Sequence, residues 1–191
     1  MANVHKFTLG GTADTALGVV LLNDWSDQAL PSTRDRYVEI PGRQGRVNFD
    51  SDLGPRELTL ELEIIDGTTE ASLQTLARAL SAVLLDQDGH PQDVSLVFER
   101  ESTKTYTVRY SGHMPIERLV GATHGRVSLP LIQADPFVYG ASDTDSDSIT
   151  ASYQEMAIEN AGDYRTPPTI TVTNNGAGDV TGFTLVLRQI K

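Results

Sequence analysis

Alternation of polar and apolar residues marks one strand in the middle of the chain. From position 57 to position 64, leucine or isoleucine occupies every even position, and glutamate or threonine occupies every odd one. A period of two residues is typical of a strand with one face buried and one face solvated. The pattern predicts a strand over Glu57–Ile65.

The period changes after the turn sequence "DGTT". Apolar residues recur at helical spacing from Leu73 to Leu84, with Thr68 or Thr69 as N-cap and Glu70 in the first turn. These features predict a helix that ends near Leu85. Because the helix has one apolar stripe, we expect it to lie against a sheet.

Further short apolar runs predict more strands. They are "LGVVLL" at Leu17–Leu22, "VSLVFE" at Val94–Glu99, "KTYTVRY" at Lys104–Tyr110, "MPIERLV" and "GRVSLPLIQA". The turn-like "RESTK" suggests that the second and third runs form a hairpin, and Pro130 in the last run favours an edge or a bulge there. The predicted fold class is α+β and mainly β, an antiparallel sandwich or barrel with one flanking helix.

A boundary between two parts of the chain follows this region. The segment "ASDTDSDSITAS" is acidic, small and polar, which is typical of a linker. We therefore divide the chain into a domain at 1–140, a linker at 141–150 and a short β segment at 151–191. In the last part, "TITVTNNGAGDVTGFTLVL" predicts two strands and a turn. A lone hairpin is marginal in water, so these strands need partners from elsewhere, or the chain is a truncated version of something longer.

Composition excludes several classes of function. The net charge is −11, from 15 basic and 26 acidic residues, and neither half carries a basic patch. Tight binding to nucleic acid or to anionic lipid is therefore disfavoured. The absence of cysteine excludes disulfides and thiolate metal sites and suits a reducing cytoplasm. The N-terminus resembles neither a signal peptide nor a membrane span.

Candidate catalytic and metal-binding groups do not converge. "DTDSDS" matches half of a calcium loop, but Ser148 and Gln154 replace the glycine and glutamate that the rest of the loop requires. Glu61 and Glu63 lie roughly 7 Å apart on one strand face, which is better explained as its polar side. The four histidines, at positions 5, 90, 113 and 124, are scattered, and Ser111 near His113 lacks a third group to orient the imidazole. We expect no enzyme activity, cofactor or metal.

The stretch "IPGRQGRVNFDSDLGP" needs another explanation, since its arginines, glycines and turn residues belong to no core. It directly precedes the strand at 57–65. Together with "LGVVLL", "RELTLELEI", the single helix, "VSLVFE", "YTVRYSG" and "RLVGATHGRVSLPLIQADPFVYG", it resembles the N-terminal domain of siphophage distal tail proteins. The resemblance covers Thr8 to Gly140, and "VEIPGRQG", "LGPRELTL" and "ADPFVYG" are its most specific parts.

The resemblance implies a structural role in the virion. Distal tail proteins form a hexameric ring between the tail tube protein and the tail tip or baseplate, where they organise the tail-associated lysin and the receptor-binding apparatus. Their N-terminal domain resembles the tube protein, and strands of neighbouring subunits join around the DNA channel. The implied partners are thus five further copies, the tube protein and the tip proteins, with assembly in the host cytoplasm and no membrane contact.

Two groups of residues acquire roles through the resemblance. Pro41 to Pro55 becomes an arm that reaches a neighbouring subunit or ring, and acidic residues of the strand become a repulsive lining past which DNA slides without specific binding. The expected arm residues are Arg43, Gly45, Arg46 and Arg56. The expected lumen residues are Glu57, Glu61 and Glu63, for which ordinary exposure to solvent is an equal alternative.

The C-terminal part departs from the family pattern. Many members continue into a galectin-like sandwich, and "IENAGDYRTPPTITVTNNG" resembles its first strands, but the chain stops at Lys191. Two alternative functions stay open. One is a tail tube or tube-terminating protein on the same fold, and the other is a carbohydrate-binding β-sandwich that acts alone.

Overall fold

The computed structural model describes residues 6–23, 26–64, 70–118, 125–150, 153–160 and 162–186. The strands in these residues are β1 (Phe7–Leu9), β2 (Thr12–Ala13), β3 (Val19–Leu21), β4 (Ser26–Asp27), β5 (Thr33–Val38), β6 (Val47–Leu53), β7 (Arg56–Ile64), β8 (Asp93–Phe98), β9 (Tyr106–Tyr110), β10 (Ile116–Arg118) and β11 (Gly125–Gln133). Helix α1 spans Glu70–Leu84, and a single 3₁₀ turn spans Glu99–Glu101.

The strands form two antiparallel sheets. The larger sheet has the order β2-β1-β8-β9-β11-β7-β3, with β10 added to β11 and β4 added to β7. Its longest pairing joins all nine residues of β7 to all nine residues of β11. In the described part of the chain, the smaller sheet contains β5 and β6 alone. The predicted hairpin of the "VSLVFE" and "KTYTVRY" runs is confirmed as β8 and β9.

One hydrophobic core lies on the inner face of the larger sheet. Strand β7 buries each even position from Leu58 to Ile64, as its alternation predicts. Phe7 of β1 and Leu21 of β3 stand near opposite ends of the strand order, yet both belong to the same core cluster. The sheet must therefore curl to bring its ends onto a shared core. This mainly-β architecture with one helix confirms the predicted fold class.

Helix α1 packs on this core and ends in a side-chain cap. Leu80 and Leu84 are buried in the core, and Val83 packs against it. The Gln92 side-chain amide donates hydrogen bonds to the backbone oxygens of Val83 at 3.0 Å and Leu85 at 3.2 Å. These bonds satisfy carbonyl groups that the end of a helix leaves unpaired. The predicted N-cap, Thr68 or Thr69, lies outside the described residues.

Pro130 occupies a local edge within strand β11. One side of β11 is paired with β7 along its whole length. On the other side, β10 pairs with residues 125–127 and β9 with residues 131–132, so Pro130 lies where the partner strand changes. Its missing N–H group therefore breaks no bond to these two strands. The predicted edge position holds for one side of the strand only.

The chain divides into two compact units, Met1–Ser142 and Asp143–Lys191. In residues 143–150, 153–160 and 162–186 the second unit contains no helix and no strand, so the two strands expected in "TITVTNNGAGDVTGFTLVL" are not formed there. The turn between them does form, because Asn174 donates to the Gly178 oxygen and accepts from the Gly176 amide. A two-stranded hairpin without a third strand has too little to bury, which explains the difference.

Candidate functional site

The predicted arm is a two-stranded ribbon, β5 and β6 with the loop that joins them. It spans Thr33–Leu53 and so begins eight residues before the expected Pro41. Its pairing register shifts between Arg36 and Tyr37, which leaves Phe49 as an extra residue on β6. An extra residue of this kind bends a ribbon and strengthens its twist.

Charged pairs hold the two strands of the ribbon together. Arg34 lies opposite Asp52, and Arg36 lies opposite Asp50. Since residues opposite each other share a face, these four side chains form one charged face, on which Arg36 and Asp52 make an ion pair. On the other face the Ser51 hydroxyl donates to the Asp35 carboxylate at 2.7 Å.

The ribbon also exposes large apolar side chains. Phe49 is 69% exposed, whereas Phe98 in the core is 1% exposed. The other exposed apolar residues of the ribbon are Tyr37, Val38, Ile40 and Leu53. Such a concentration on one thin element is typical of a surface that meets another macromolecule.

The tip of the ribbon holds one arginine in a fixed position. The Arg46 Nε atom lies 2.8 Å from a Glu39 carboxylate oxygen, and its guanidinium lies 4.2 Å from the centre of the Tyr37 ring. Gly42 and Gly45 adopt φ values of 82° and 87°, which favour glycine. An open cleft of about 510 Å³ is lined by tip residues Glu39, Ile40, Pro41, Arg43, Gly45 and Arg46.

The root of the ribbon is clamped to the strand that follows. The Gly54 amide donates to the Ser32 backbone oxygen at 2.6 Å, and the Ser32 hydroxyl donates to the Pro55 oxygen at 3.1 Å. The Glu57 amide also donates to the Gln28 side chain at 3.3 Å. The orientation of the ribbon is therefore set by hydrogen bonds at its base.

Arg56 lies outside the ribbon, as the first residue of β7. Its position has the same parity as Leu58, so its side chain belongs to the inner face of the strand. It lies opposite Gln133 of β11, and the described structure gives no hydrogen-bond partner to the buried Arg56 Nε or Gln133 Oε1 atoms. Arg43, Gly45 and Arg46 do lie together at the tip.

The three glutamates share the outer face of β7, but they have different surroundings. Glu61 is 18% exposed at its side chain, and it accepts hydrogen bonds from Ser128 Oγ at 2.7 Å and Arg126 Nε at 3.2 Å. Its charge is thus compensated by β11. Glu63 lies opposite Arg126 in the register, and exposed Glu57 lies opposite Ile132. Because Arg126 stands beside two of the three glutamates, the stripe is less negative than the sequence suggests.

The described residues bring together one set of groups that the sequence interpretation missed. Asp86, Asp88 and His90 are exposed and place one potential ligand atom each within 4.8 Å of the others. An Asp86 carboxylate oxygen accepts the backbone amides of Asp88 and His90, so the set closes a turn after α1. The spacing D-x-D-x-H is the signal that could have indicated it.

Other candidate groups stay apart. Ser111 and His113 are both exposed, and His5 and His124 lie outside the described residues. In the half calcium loop, the Gln154 side chain donates to Asp147 and accepts from the Thr150 amide. At the position where a calcium loop has its glutamate, Gln154 thus connects Asp147 and Thr150 by hydrogen bonds.

In the described residues, the curled antiparallel sheet, the one flanking helix and the ribbon held at its base define a mainly-β protein. The chain matches the phage tail protein RIFT-related domain family over residues 15–132. It therefore belongs to this family of phage tail proteins and has a structural role in the tail. This confirms the resemblance found in the sequence.

A solved structure supports the same fold. The crystal structure of the SPP1 Dit protein, described as a paradigm of the hub adsorption apparatus in phages that infect Gram-positive bacteria, matches with a TM-score of 0.60 and 22% sequence identity. The match covers 73% of this chain and 53% of that one, so this chain spans about half of the SPP1 protein. Both matches are structural tail proteins and not enzymes.

Among curated proteins, none matches this chain. In the part of the chain that the structure describes, no helix combines the length and apolar character needed to cross a membrane.

Proposed function

We propose that this chain forms a hexameric ring in the phage tail, which joins the tail tube to the distal tip or baseplate and surrounds the DNA channel. The exposed ribbon is the main support for the proposal. It presents apolar side chains to solvent, while hydrogen bonds at its base hold it to the rest of the domain. A ribbon of two strands is marginally stable when isolated in water. Under the proposal it is covered by a neighbouring copy.

The charge of the ribbon supports a contact between identical chains. Residues 33–53 contain four arginines and four acidic residues, so the net charge of −11 is carried entirely by the rest of the chain. A neutral ribbon meets an acidic copy without the net repulsion that two acidic surfaces would encounter. Within it, Arg46 is held in place by Glu39 and Tyr37, and Arg43 is exposed at the tip for pairing with carboxylates.

The outer face of β7 is the proposed lining of the channel. Arg126 pairs with Glu61 and lies opposite Glu63 in the register, so Glu57 is the glutamate of this face with no basic residue opposite it on β11. A negative lining does not bind phosphates and so lets DNA slide. Glu57→Lys and Glu63→Lys should slow DNA ejection from otherwise complete virions. Normal ejection in both variants would place these residues in ordinary solvent.

The ring has further proposed partners. The tail tube protein contacts one side of it, and the tail-tip protein with the tail-associated lysin contacts the other. Assembly takes place in the host cytoplasm, and the finished ring stays in the virion. DNA passes through the ring without specific binding.

The mass of the purified chain tests the proposal directly. Light scattering over a concentration series, with negative-stain images of the largest species, should give closed six-fold rings with a central hole. Since a partner ring can be needed to template assembly, the same measurement is repeated with a tail tube protein present. Continuous tubes would favour the tube-protein alternative. A monomer in both experiments with saturable glycan binding would favour the carbohydrate-binding alternative.

A further inference from the structure

Residues 168–186, here called the C-terminal segment, contain two strand-like sequences without strand partners in the described structure. Ile170 and Val172 alternate with threonines in the first, and Phe183 and Leu185 alternate with other residues in the second. All four side chains are exposed. β-branched and aromatic residues in alternation are typical of strands that pack one face on a neighbour.

The turn between the two sequences is already closed. The Asn174 side-chain amide lies 2.8 Å from the Gly178 oxygen, and the Gly176 amide lies 2.9 Å from the Asn174 side-chain oxygen. Turn geometry sets the register of a hairpin, so the segment is prepared to pair. A hairpin needs a third strand, or another packing partner, for stability.

The ribbon offers what the C-terminal segment lacks. The described sheet pairs β5 and β6 only with each other, so the outer side of each strand presents backbone groups to which a further strand can add. Exposed apolar residues such as Tyr37, Phe49 and Leu53 supply side-chain contacts for that strand. Strand addition of this kind is a recurring mode of recognition between chains.

Charge favours the same pairing. The described residues from 143 to 186 contain seven acidic residues and one basic residue, Arg165. Six of the seven acidic residues precede position 168, and the C-terminal segment itself contains only Asp179. Two copies of this acidic unit repel each other, whereas the unit meets no net repulsion from the neutral ribbon. This difference in net charge favours the ribbon over a second copy of the acidic unit as the docking partner.

We propose that the C-terminal segment of one copy adds as a strand pair to the free edge of the ribbon of a neighbouring copy. This inference rests on the proposed function, because it requires copies of the chain to associate. It explains in one contact why the ribbon exposes apolar residues and why the C-terminal segment contains strand sequences without strands. The docked segment would link successive copies around the ring.

Crosslinking between two full-length chains tests the proposal cleanly, because the protein contains no cysteine. Chains with Asn48→Cys in the ribbon are mixed with chains with Thr171→Cys in the C-terminal segment and treated with a short bismaleimide. Ser102→Cys, in an exposed turn, replaces the ribbon cysteine in the matched control. Docking raises the effective concentration of the pair, so the yield of crosslinked heterodimer should be at least about tenfold above this control.

Two proline variants test whether the crosslink depends on strand pairing by the C-terminal segment. Val172→Pro removes a strand N–H group and should reduce the crosslink to the control yield, whereas Ala177→Pro, in the turn, should leave it unchanged. Hydrogen exchange should show that amides in residues 169–173 become protected only as protein concentration rises.

The outcomes separate this inference from the proposed function. Closed rings with a crosslink at control yield would overturn the strand addition and leave the ring intact. A specific crosslink between copies without closed rings would retain the strand addition and overturn the ring. A chain that carries both Asn48→Cys and Thr171→Cys is treated in the same way. An intramolecular crosslink in that chain, with no crosslink between mixed single-cysteine chains, would overturn pairing in trans, as would a strict monomer.

Discussion

Gly10 and Gly11 form the two-residue turn between β1 and β2, and both have positive φ values, 55° and 79°. Two such residues are the signature of a tight hairpin turn. They differ in their surroundings. A Cβ atom on Gly10 would lie 2.8 Å from Val83 Cγ1 of α1, whereas one on Gly11 would meet nothing within 4 Å.

This difference gives a matched pair of variants. Gly11→Ala should lower the free energy of unfolding by about 1 kcal/mol through backbone strain alone. Gly10→Ala should lower it by roughly 1–3 kcal/mol more, because the new methyl group also displaces α1. Urea denaturation measures both, and Val83→Ala added to Gly10→Ala should restore part of the loss. Equal effects of the two single variants would contradict the close packing of α1 at this turn.

Tyr139 gives a prediction about pH. Its hydroxyl donates to an Asp135 carboxylate oxygen at 2.6 Å, and this hydrogen bond raises the pKa of the phenol above 10.0. A raised folded-state pKa means that the bond contributes stability below the unfolded pKa and loses it as pH rises through the folded one. In an NMR titration the Tyr139 ring should therefore ionise at lower pH in Asp135→Ala than in the parent chain. An unchanged midpoint would contradict the bond.

At the scale of elements, alternation and helical periodicity predicted the core and little else. Strand β7 was expected over 57–65 and is observed at 56–64, and α1 was expected to end near Leu85 and ends at Leu84. Each of these elements buries one face, and burial of that face requires apolar residues at a regular spacing in the sequence. Strands β1, β2 and β4 are two or three residues long, too short to show a period.

The ribbon was predicted only in part for a related reason. Neither of its faces packs on the core, so its residues follow no buried pattern, and glycine and proline indicated only the loop. Arg56 was assigned to the arm because it is close to the ribbon in sequence, although strand parity turns it toward the core face. The pairing of Glu61 with Arg126 was also missed, since 65 residues separate them.

The contrast between Phe49 and Phe98 makes the separate role of the ribbon testable. Phe49→Ser should change the free energy of unfolding by no more than about 0.5 kcal/mol, as is usual for exposed positions. Phe98→Ala should cost about 3–5 kcal/mol, because it leaves a cavity in the core. Phe49→Ser should nevertheless reduce self-association in light scattering. Destabilisation by Phe49→Ser comparable to that of Phe98→Ala would show that the ribbon packs on its own domain.

At the scale of the whole molecule, the division near residue 142 predicts a protease-resistant fragment. Residues 143–150 are exposed and contain no regular structure, so they should be cut first by a protease of broad specificity. Mass spectrometry should find an N-terminal fragment that ends between residues 140 and 150. A first cut inside the larger sheet, with the C-terminal part still attached, would contradict the division.

The net charge of −11 predicts how association depends on salt. Copies of an acidic chain repel each other, and raising ionic strength from about 0.01 M to about 0.15 M shortens the screening length from about 30 Å to about 8 Å. The association measured by light scattering should therefore strengthen with salt. Weakening with salt would mean that ion pairs, such as those offered by Arg43, dominate the contact between copies.

The clamped root of the ribbon has a mechanical consequence. Strand β6 ends at Leu53 and β7 begins at Arg56, so only Gly54 and Pro55 separate the exposed ribbon from the longest pairing of the core. Tension applied to the ribbon passes along the covalent backbone into β7 and is spread in shear over the nine residue pairs that β7 shares with β11. A chain built in this way transmits load from its exposed ribbon to the strand with the longest pairing in the core.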